Sequence, residues 1–159
     1  MRNIKKRVLA RLATAAAAVP LAVVGISGEA FAYDGERVPW INVATGRCLA
    51  HDQKHDVFTM DMKGCVAYWV EYEHGGNIYT LTYHTGNGGP GRLLCLDSSD
   101  AGRVYLNPCN GSNYQKWRQT KTSTGWKLTN AETGRVLDSS DGGKVYTKPD
   151  NGGRYQRWR

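Results

Sequence analysis

An internal repeat constrains the fold of this 159-residue chain more than any other sequence feature. Asp97–Trp117 and Asp138–Trp158 align without a gap, and in both segments 20 positions separate the aspartate from the tryptophan. Each copy runs from Leu-Asp-Ser-Ser-Asp through a Val-Tyr pair, a Pro and an Asn-Gly to Tyr-Gln-x-Trp. Two matches of this length indicate that the chain is built from copies of one structural unit.

A third, degraded copy precedes these two. Asn42–Leu49 matches Asn130–Leu137, and Val57-Phe58 falls where the later copies have Val-Tyr. Beyond that point the register slips, so that Cys65 and Trp69 no longer align with their counterparts. The sequence therefore contains three repeats of about 40 residues, at approximately 40–74, 80–120 and 126–159.

The local pattern within each repeat favours β-structure. Short segments rich in Val, Leu, Tyr and Thr alternate with turns rich in Gly, Asn and Asp. No segment keeps a helical period over three turns, and alternation in Trp126–Thr129 is typical of a strand with one buried face. Because one such repeat cannot bury a core alone, we predict an all-β domain in which three repeats close around a shared core.

The first 32 residues have the composition of a secretory signal peptide. A cationic start is followed by the apolar run Leu12–Ile26 and by Ala30-Phe31-Ala32, an A-x-A cleavage pattern. A membrane anchor is the alternative, but the run is short and Pro20 interrupts it. We therefore expect a secreted, extracellular protein whose mature domain is residues 33–159, with no membrane insertion.

Removal of this leader lowers the net charge of the protein, which bears on whether it binds a nucleic acid. The whole chain is formally +7, whereas the mature part keeps 16 basic and 13 acidic residues, a net charge of +3. These charges are scattered, and no block of Lys or Arg is present to follow a phosphate backbone. We expect no nucleic-acid partner.

Cysteine usage agrees with export. The four cysteines all lie in the mature part, and an even number in an oxidising compartment predicts disulfides: Cys48, Cys65, Cys95 and Cys109. Their spacing lacks the close C-x-x-C pairs of zinc sites. We favour two local bridges in sequence order, each closing a loop of about 15 residues and contributing roughly 3 kcal/mol.

The Leu-Asp, Val-Tyr, Asn-Gly and Tyr-Gln-x-Trp signature resembles that of the ricin-B-type β-trefoil lectins, and within them the actinohivin-like mannose-binding lectins. The resemblance extends from about Trp40 to Arg159 and is closest in the last two repeats. It implies a β-trefoil fold and a monomeric carbohydrate-binding protein that favours mannose-type glycans.

The resemblance also implies which residues hold the sugar. In such repeats these are the Asp of Leu-Asp, the Tyr eight later, the Asn thirteen later and the Tyr seventeen later, here Asp97, Tyr105, Asn110, Tyr114, Asp138, Tyr146, Asn151 and Tyr155. The first repeat has Ala50, Phe58, Lys63 and Ala67 at these offsets, so we predict that its pocket is lost. The family tends to place Leu where this chain has Asn107 and Lys148, which bears on the sugar preference.

The residue types suit a sugar independently of the resemblance. An ionised Asp accepts hydrogen bonds from hydroxyls, Asn both donates and accepts, and Tyr offers a flat apolar face with a hydroxyl at its edge. Structural roles compete, because Asp also caps turns and because Tyr105 and Tyr146 would be core residues if they faced inward. We assign four residues to the core or to strand pairing and not to ligand contacts: Gln115, Trp117, Gln156 and Trp158.

Other kinds of site are less well supported. His51 and His55 have the i, i+4 spacing of a helical metal site, but they lie in a predicted hairpin loop, so we expect a solvated surface and no metal. Asp97 and Asp138 belong to different repeats and do not form the carboxylate pair of a glycosidase. The chain lacks a G-x-S-x-G motif and a phosphate-binding loop.

We therefore predict a binding protein that is not an enzyme and has no cofactor. A secreted trefoil that binds a protein, as an inhibitor or receptor ligand, is the alternative, because fold does not fix function. The Asn87–Gly91 insertion before the second repeat is predicted to be a loop.

Overall fold

A computed structural model describes residues 36–65, 67–85 and 91–159. The predicted signal peptide and nearly all of the predicted Asn87–Gly91 loop lie outside these ranges. Within them, no helix is long and apolar enough to cross a membrane. The strands are β1 (Glu36–Val38), β2 (Cys48–His51), β3 (Val57–Met60), β4 (Trp69–Glu73), β5 (Ile78–His84), β6 (Leu93–Ser98), β7 (Val104–Pro108), β8 (Trp117–Thr122), β9 (Gly125–Asn130), β10 (Val136–Ser139) and β11 (Val145–Lys148).

Three short 3₁₀ turns, one in each repeat, complete these elements. They are Met62–Gly64, Asn113–Gln115 and Arg154–Gln156.

Strands of successive repeats pair side by side into a closed ring. β4 pairs with β5, β5 with β8, and β8 with β9, all antiparallel. Trp158 bridges to both Trp126 and Asn42, and Ile41 and Arg159 exchange backbone hydrogen bonds of 2.8 and 2.9 Å. These contacts join the first and last segments of the domain and close the ring. β1 adds a strand that pairs with β4.

Each repeat also contributes one hairpin: β2–β3, β6–β7 or β10–β11. The hairpins are joined to one another by three equivalent backbone hydrogen bonds of 2.8–2.9 Å. In these bonds Thr59, Leu106 and Thr147 donate their N–H groups, and Gly143, His55 and Gly102 accept, respectively. Every hairpin donates to one neighbour and accepts from the other. This three-fold arrangement confirms the predicted all-β fold, a β-trefoil.

The core repeats with the same symmetry. Trp69, Trp117 and Trp158 are almost fully buried, and each indole N–H donates to a leucine carbonyl oxygen of its own repeat. The distances are 3.0, 2.9 and 3.1 Å, to Leu49, Leu96 and Leu137. The bond persists in the first repeat despite the slipped register there. Gln115 and Gln156 are also buried, as predicted for core residues.

The two predicted disulfides are both present. Cys48 bonds Cys65 and Cys95 bonds Cys109, which confirms the local pairing. The third repeat has Val136 and Asp150 at the equivalent positions. Asp150 instead forms a 2.7 Å ion pair with Lys127. The second of these positions is therefore tied by a polar contact to β9, and not to Val136.

Two of the three residues that accept the hydrogen bonds between hairpins are glycines, because the backbones of neighbouring hairpins approach each other closely there. Gly102 and Gly143 have φ values of 82° and 84°. A Cβ at Gly102 would lie 2.5 Å from the carbonyl oxygen of Thr147, and one at Gly143 would lie 2.8 Å from that of Thr59. The third acceptor, His55, adopts a φ of 70°, a conformation that costs a non-glycine residue free energy.

We expect Gly143→Ala to lower the free energy of unfolding by about 1–3 kcal/mol, because alanine is strained at this φ and meets a neighbouring carbonyl. Chemical denaturation measures the change. The adjacent Gly142→Ala is the matched control, since the nearest atom to its Cβ lies 3.9 Å away on a side chain. Equal stabilities of the two variants would contradict this account of the hairpin contact.

Candidate functional site

The hairpin register brings the first two candidate residues of each later repeat together. Asp138 lies directly opposite Tyr146 across β10–β11, and Asp97 lies opposite Tyr105 across β6–β7. Both tyrosines are half-buried between fully buried neighbours in the strand. Their side chains therefore lie on the face away from the core and share that face with the aspartates.

A buried glutamine fixes each aspartate. Gln156 Nε2 donates to Asp138 Oδ2 at 3.1 Å and to the carbonyl oxygen of Pro149 at 3.0 Å. Its Oε1 accepts from the backbone N–H of Asn151 at 2.9 Å. The Gln156 side chain thus fixes the position of the Asp138 carboxylate relative to the backbone of Asn151.

The second repeat has the same network around Gln115. Its Nε2 donates to Asp97 Oδ2 at 2.9 Å and to the carbonyl oxygen of Pro108 at 3.1 Å. Its Oε1 accepts from the backbone N–H of Asn110 at 2.8 Å. Both aspartates are only 3% exposed. An ionised carboxylate at this depth requires hydrogen-bond donors, and the glutamines supply them.

The two asparagines use their side-chain oxygens to shape the loop. Asn151 Oδ1 accepts from Gly153 N at 2.7 Å, and Asn110 Oδ1 accepts from Ser112 N at 2.9 Å. Both asparagines are exposed. These bonds orient each amide and do not use its NH₂ group, which can donate to a ligand.

The last candidate tyrosine of each repeat is oriented by an aspartate that sequence reasoning missed. Tyr155 donates its hydroxyl to Asp141 Oδ1 at 2.7 Å, and Tyr114 donates to Asp100 Oδ1 at 3.0 Å. These hydrogen bonds raise the pKa of both tyrosines, so the hydroxyls stay protonated. The identical Asp-Ser-Ser-Asp sequence of the two repeats is the signal that could have identified these aspartates.

In the third repeat the candidate residues line a cavity of about 340 Å³, which is at the small end for ligand sites. All four predicted residues belong to it: Asp138, Tyr146, Asn151 and Tyr155. Ser140 and Asp141 also line it and are not among the predicted site residues. Lys148, at a position expected to bear on the sugar preference, lines it as well. The cavity offers carboxylate, amide, hydroxyl and aromatic groups within one small volume.

The candidate sites of the two repeats differ at the position two residues after the strand tyrosine. Lys148 Nζ lies 4.7 Å from the centre of the Tyr146 ring. In the second repeat Asn107 Nδ2 instead donates to Asp97 Oδ2 at 3.3 Å. This position therefore holds a cation in the third repeat and a neutral amide in the second. Tyr105 is instead covered by the guanidinium of Arg103, which lies 5.3 Å from the centre of its ring.

Burial sets the electrostatics of Asp138. It raises the pKa of this carboxyl above its ordinary value, while the hydrogen bond from Gln156 and the charge of Lys148 act in the opposite direction. Burial also raises the pKa of Tyr105, and the negative charge of Asp97 adds to that shift.

The first repeat lacks the whole arrangement. Ala50 lies opposite Phe58, and Ala67 takes the position two residues before the tryptophan where the other repeats have glutamine. The 3₁₀ turn, which includes the exposed Lys63, begins seven residues before Trp69 instead of four. The aspartate and the glutamine that holds it are thus absent together.

The expectation for the two histidines needs correction. His51 is not in a solvated loop: it ends β2, is half-buried, and packs against Tyr83 and Trp69 with ring centroids 3.8 and 5.7 Å away. His55 is exposed in the turn. In the parts of the chain that the structure describes, no group of three His, Cys, Asp or Glu residues could hold a metal ion.

We expect Gln156→Leu to lower the free energy of unfolding by about 1–3 kcal/mol at neutral pH, because it leaves the buried Asp138 carboxylate without this donor. The pKa of Asp138 should rise further. Lowering the pH then protonates the variant's carboxyl first, so its stability deficit should narrow as the solution becomes acidic. Denaturation at several pH values, with an NMR titration of Asp138, measures both effects. An unchanged titration would contradict the role assigned to Gln156.

Comparison with known proteins agrees with this geometry. The ricin-type β-trefoil lectin domain family matches residues 36–158. Among solved structures, the designed three-fold symmetric protein ThreeFoil aligns with a TM-score of 0.63 and 24% identity, over 76% of this chain and 94% of that one. A search of curated proteins gave no significant match.

Two lectins are similar at the level of fold. SeviL, solved with the asialo-GM1 saccharide, aligns with a TM-score of 0.62 and 14% identity, over 78% of this chain and 94% of that one. The Polyporus squamosus lectin, solved with the epitope Neu5Acα2-6Galβ1-4GlcNAc, has a TM-score of 0.64 and 19% identity, with 79% of this chain covered. The match spans 48% of the Polyporus lectin. The family match covers the whole described domain, and this chain belongs to the ricin-type β-trefoil lectin domain family.

Proposed function

We propose that this protein is a secreted, monomeric lectin that binds mannose-type glycans through two pockets, one in the second repeat and one in the third. It performs no chemistry on the bound sugar. The family supports carbohydrate binding in general, and the preference for mannose rests on the resemblance of the repeat signatures to the actinohivin-like lectins. Secretion rests on the signal-peptide pattern of residues 1–32.

One observation carries the proposal: a buried aspartate, fixed by a buried glutamine, recurs beside a tyrosine and an asparagine in two repeats. Each ionised carboxylate keeps the capacity to accept hydroxyl hydrogens, because the glutamine uses only part of it. The neighbouring tyrosine supplies a face against which the C–H groups of a sugar ring can pack. Groups held in this way need no reordering when a ligand binds, which favours affinity.

The chemistry of the pockets also supports binding without catalysis. Asp97 and Asp138 lie in separate hairpins, and each is held by its own glutamine. Hydrolysis of a glycosidic bond requires two carboxyl groups on either side of one bond. The adjacent carboxylate of the third pocket, Asp141, already accepts the hydroxyl hydrogen of Tyr155.

We expect the oxidised protein to bind high-mannose glycans on a glycan array, and free mannose or mannobiose to compete for that binding. Competition only by other sugars would keep the lectin function and reject the mannose preference. Failure of a folded protein to bind any glycan would reject the proposal and favour a protein ligand.

The two pockets should act together on a multivalent surface. We expect Asp97→Ala or Asp138→Ala alone to weaken capture by about 10²–10⁴-fold through loss of avidity, and the double variant to abolish it. Glu73→Ala is the matched control, because this carboxylate is exposed at the end of β4, in the ring of strands and not in a hairpin that carries a pocket. Surface plasmon resonance on immobilised glycan measures the effect. Full binding by a folded double variant would reject the site assignment.

Sugar binding by the third pocket should depend on pH. Because the pKa of Asp138 is raised, the carboxylate that accepts sugar hydroxyls becomes protonated earlier than an exposed aspartate as the pH falls. We expect the Asp97→Ala protein, which retains only this pocket, to lose affinity as the pH is lowered through that raised pKa. Titration calorimetry at several pH values measures this. A constant affinity of the Asp97→Ala protein over this pH range would contradict the mechanism.

A further inference from the structure

The backbone of the third pocket is held by side chains of another repeat. Arg47 Nη1 donates to the carbonyl oxygen of Asp141, and Asn42 Nδ2 donates to that of Tyr155, both at 2.8 Å. Asp141 and Tyr155 line the pocket, and a 2.7 Å hydrogen bond joins their side chains. Two side chains of the first repeat therefore fix the backbone at both ends of this hydrogen bond.

The second repeat is held by the third in the same way. Arg135 Nη1 donates to the carbonyl oxygen of Asp100 at 3.0 Å, and Asn130 Nδ2 donates to that of Tyr114 at 2.7 Å. Asp100 and Tyr114 are again the pair that a side-chain hydrogen bond joins. Each candidate site is thus formed by one repeat and supported by the next repeat around the circle of hairpins.

The asparagines also have a role within their own repeats. Asn42 is fully buried, and its Oδ1 accepts from the backbone N–H groups of Ala44 and Thr45 at 3.1 and 3.2 Å. Asn130 is equally buried and forms the same turn. Replacing either asparagine would disturb this turn as well as the neighbouring site. The arginines therefore give the cleaner measure of the contact between repeats.

A glycine makes room for each arginine beside the turn that carries the aspartate. A Cβ at Gly143 would lie 3.5 Å from Arg47 Nη1, and one at Gly102 would lie 3.4 Å from Arg135 Nη2. Arg47 is also held within its own repeat, because its Nε donates to Asp61 Oδ1 at 3.2 Å. Its guanidinium therefore spans the junction between the first and third repeats.

The remaining junction lacks both the arginine and the group that an arginine would support. The second repeat has Leu94 at the arginine position. The first repeat, which precedes it, has Gln53 where the others have Asp100 and Asp141, so it lacks the aspartate that orients a tyrosine. The arginine is thus present where the preceding repeat carries a candidate site and absent where that site is lost.

We propose that Arg47 and Arg135 are positioning residues for sugar binding, and that each acts on the site of the preceding repeat. This inference rests on the proposed lectin function. The arginine holds the backbone of the aspartate, the aspartate accepts the tyrosine hydroxyl hydrogen, and the tyrosine is thereby fixed before a sugar arrives, which favours affinity. The first repeat, which has no pocket of its own, completes the pocket of the third.

Leucine is the test substitution, because the second repeat already has leucine at this position. Mannobiose is titrated by calorimetry into oxidised proteins that keep one pocket: the third in Asp97→Ala and the second in Asp138→Ala. We expect Arg47→Leu to weaken binding by the third pocket about three- to tenfold, through the loss of one hydrogen bond, and to leave the second unchanged. Arg135→Leu should have the reverse effect.

Arg118→Leu is the matched control for both substitutions. Arg118 also donates to a backbone carbonyl oxygen, that of Gly76 at 3.4 Å, but it lies in β8 and not at a hairpin junction. This variant should bind mannobiose like its single-pocket parent. Chemical denaturation verifies that each variant is folded under the conditions of the titration.

A second readout does not depend on any sugar. The hydrogen bond to Asp141 raises the pKa of Tyr155, so Arg47→Leu should lower this pKa towards its ordinary value as the hydrogen bond weakens. Loss of the positive charge alone would raise the pKa of a tyrosine, so a fall reports the change in geometry. An NMR titration of the tyrosine ring signals measures it, and Arg118→Leu should leave it unchanged.

The proposal is overturned if a folded Arg47→Leu protein keeps the pKa of Tyr155, or if the substitution weakens both pockets equally, as a general loss of stability would. Failure of both single-pocket parents to bind any mannobiose would count against the proposed sugar specificity. The titration of Tyr155 would then still decide whether Arg47 positions the Asp141–Tyr155 pair.

Discussion

The candidate sugar pockets depend on one buried side-chain amide in each repeat. Gln115 and Gln156 each lie beneath the surface, and each joins an aspartate, a proline carbonyl and the backbone of an asparagine. The amide can satisfy these three groups at once because it carries both a donor and an acceptor. Replacing it by an apolar residue would take a donor away from a buried carboxylate, which costs more than the loss of a contact between exposed groups.

The first repeat illustrates how strongly these residues are coupled. It has alanine at the aspartate position and alanine at the glutamine position, and its 3₁₀ turn begins further from the tryptophan. Its indole hydrogen bond to Leu49 and its hydrogen bonds to neighbouring hairpins are nevertheless kept. The contacts that hold the trefoil together are therefore separable from those that build a pocket, and a repeat can lose the second set while it retains the first.

Much of this organisation could be predicted from the sequence, because repetition carries information that a single motif lacks. The period followed from aligned positions. The pairing of Cys48 with Cys65 and of Cys95 with Cys109 followed from the number and spacing of the cysteines, and the buried roles of Gln115 and Gln156 followed from the Tyr-Gln-x-Trp motif. The orientation of Tyr105 did not, because it depends on the register opposite Asp97. The packing of His51 against Tyr83 was also missed, because a ring contact between two repeats leaves no local pattern. Arg47 and Arg135 donate to the backbone carbonyl oxygens of Asp141 and Asp100, respectively. Because every residue has such a carbonyl, no residue type in the sequence identifies these partners.

The three hydrogen bonds between hairpins have a consequence for how large such a protein can be. In a linear array of repeats, the end units expose an unpaired face and require specialised caps. Here Thr59 donates to Gly143, Thr147 donates to Gly102, and Leu106 donates to His55, so the series returns to its starting point. No repeat is terminal, and none can fray from an open end. Adding a fourth copy would require breaking the circle, so the geometry that makes the trefoil self-sufficient also fixes its copy number at three.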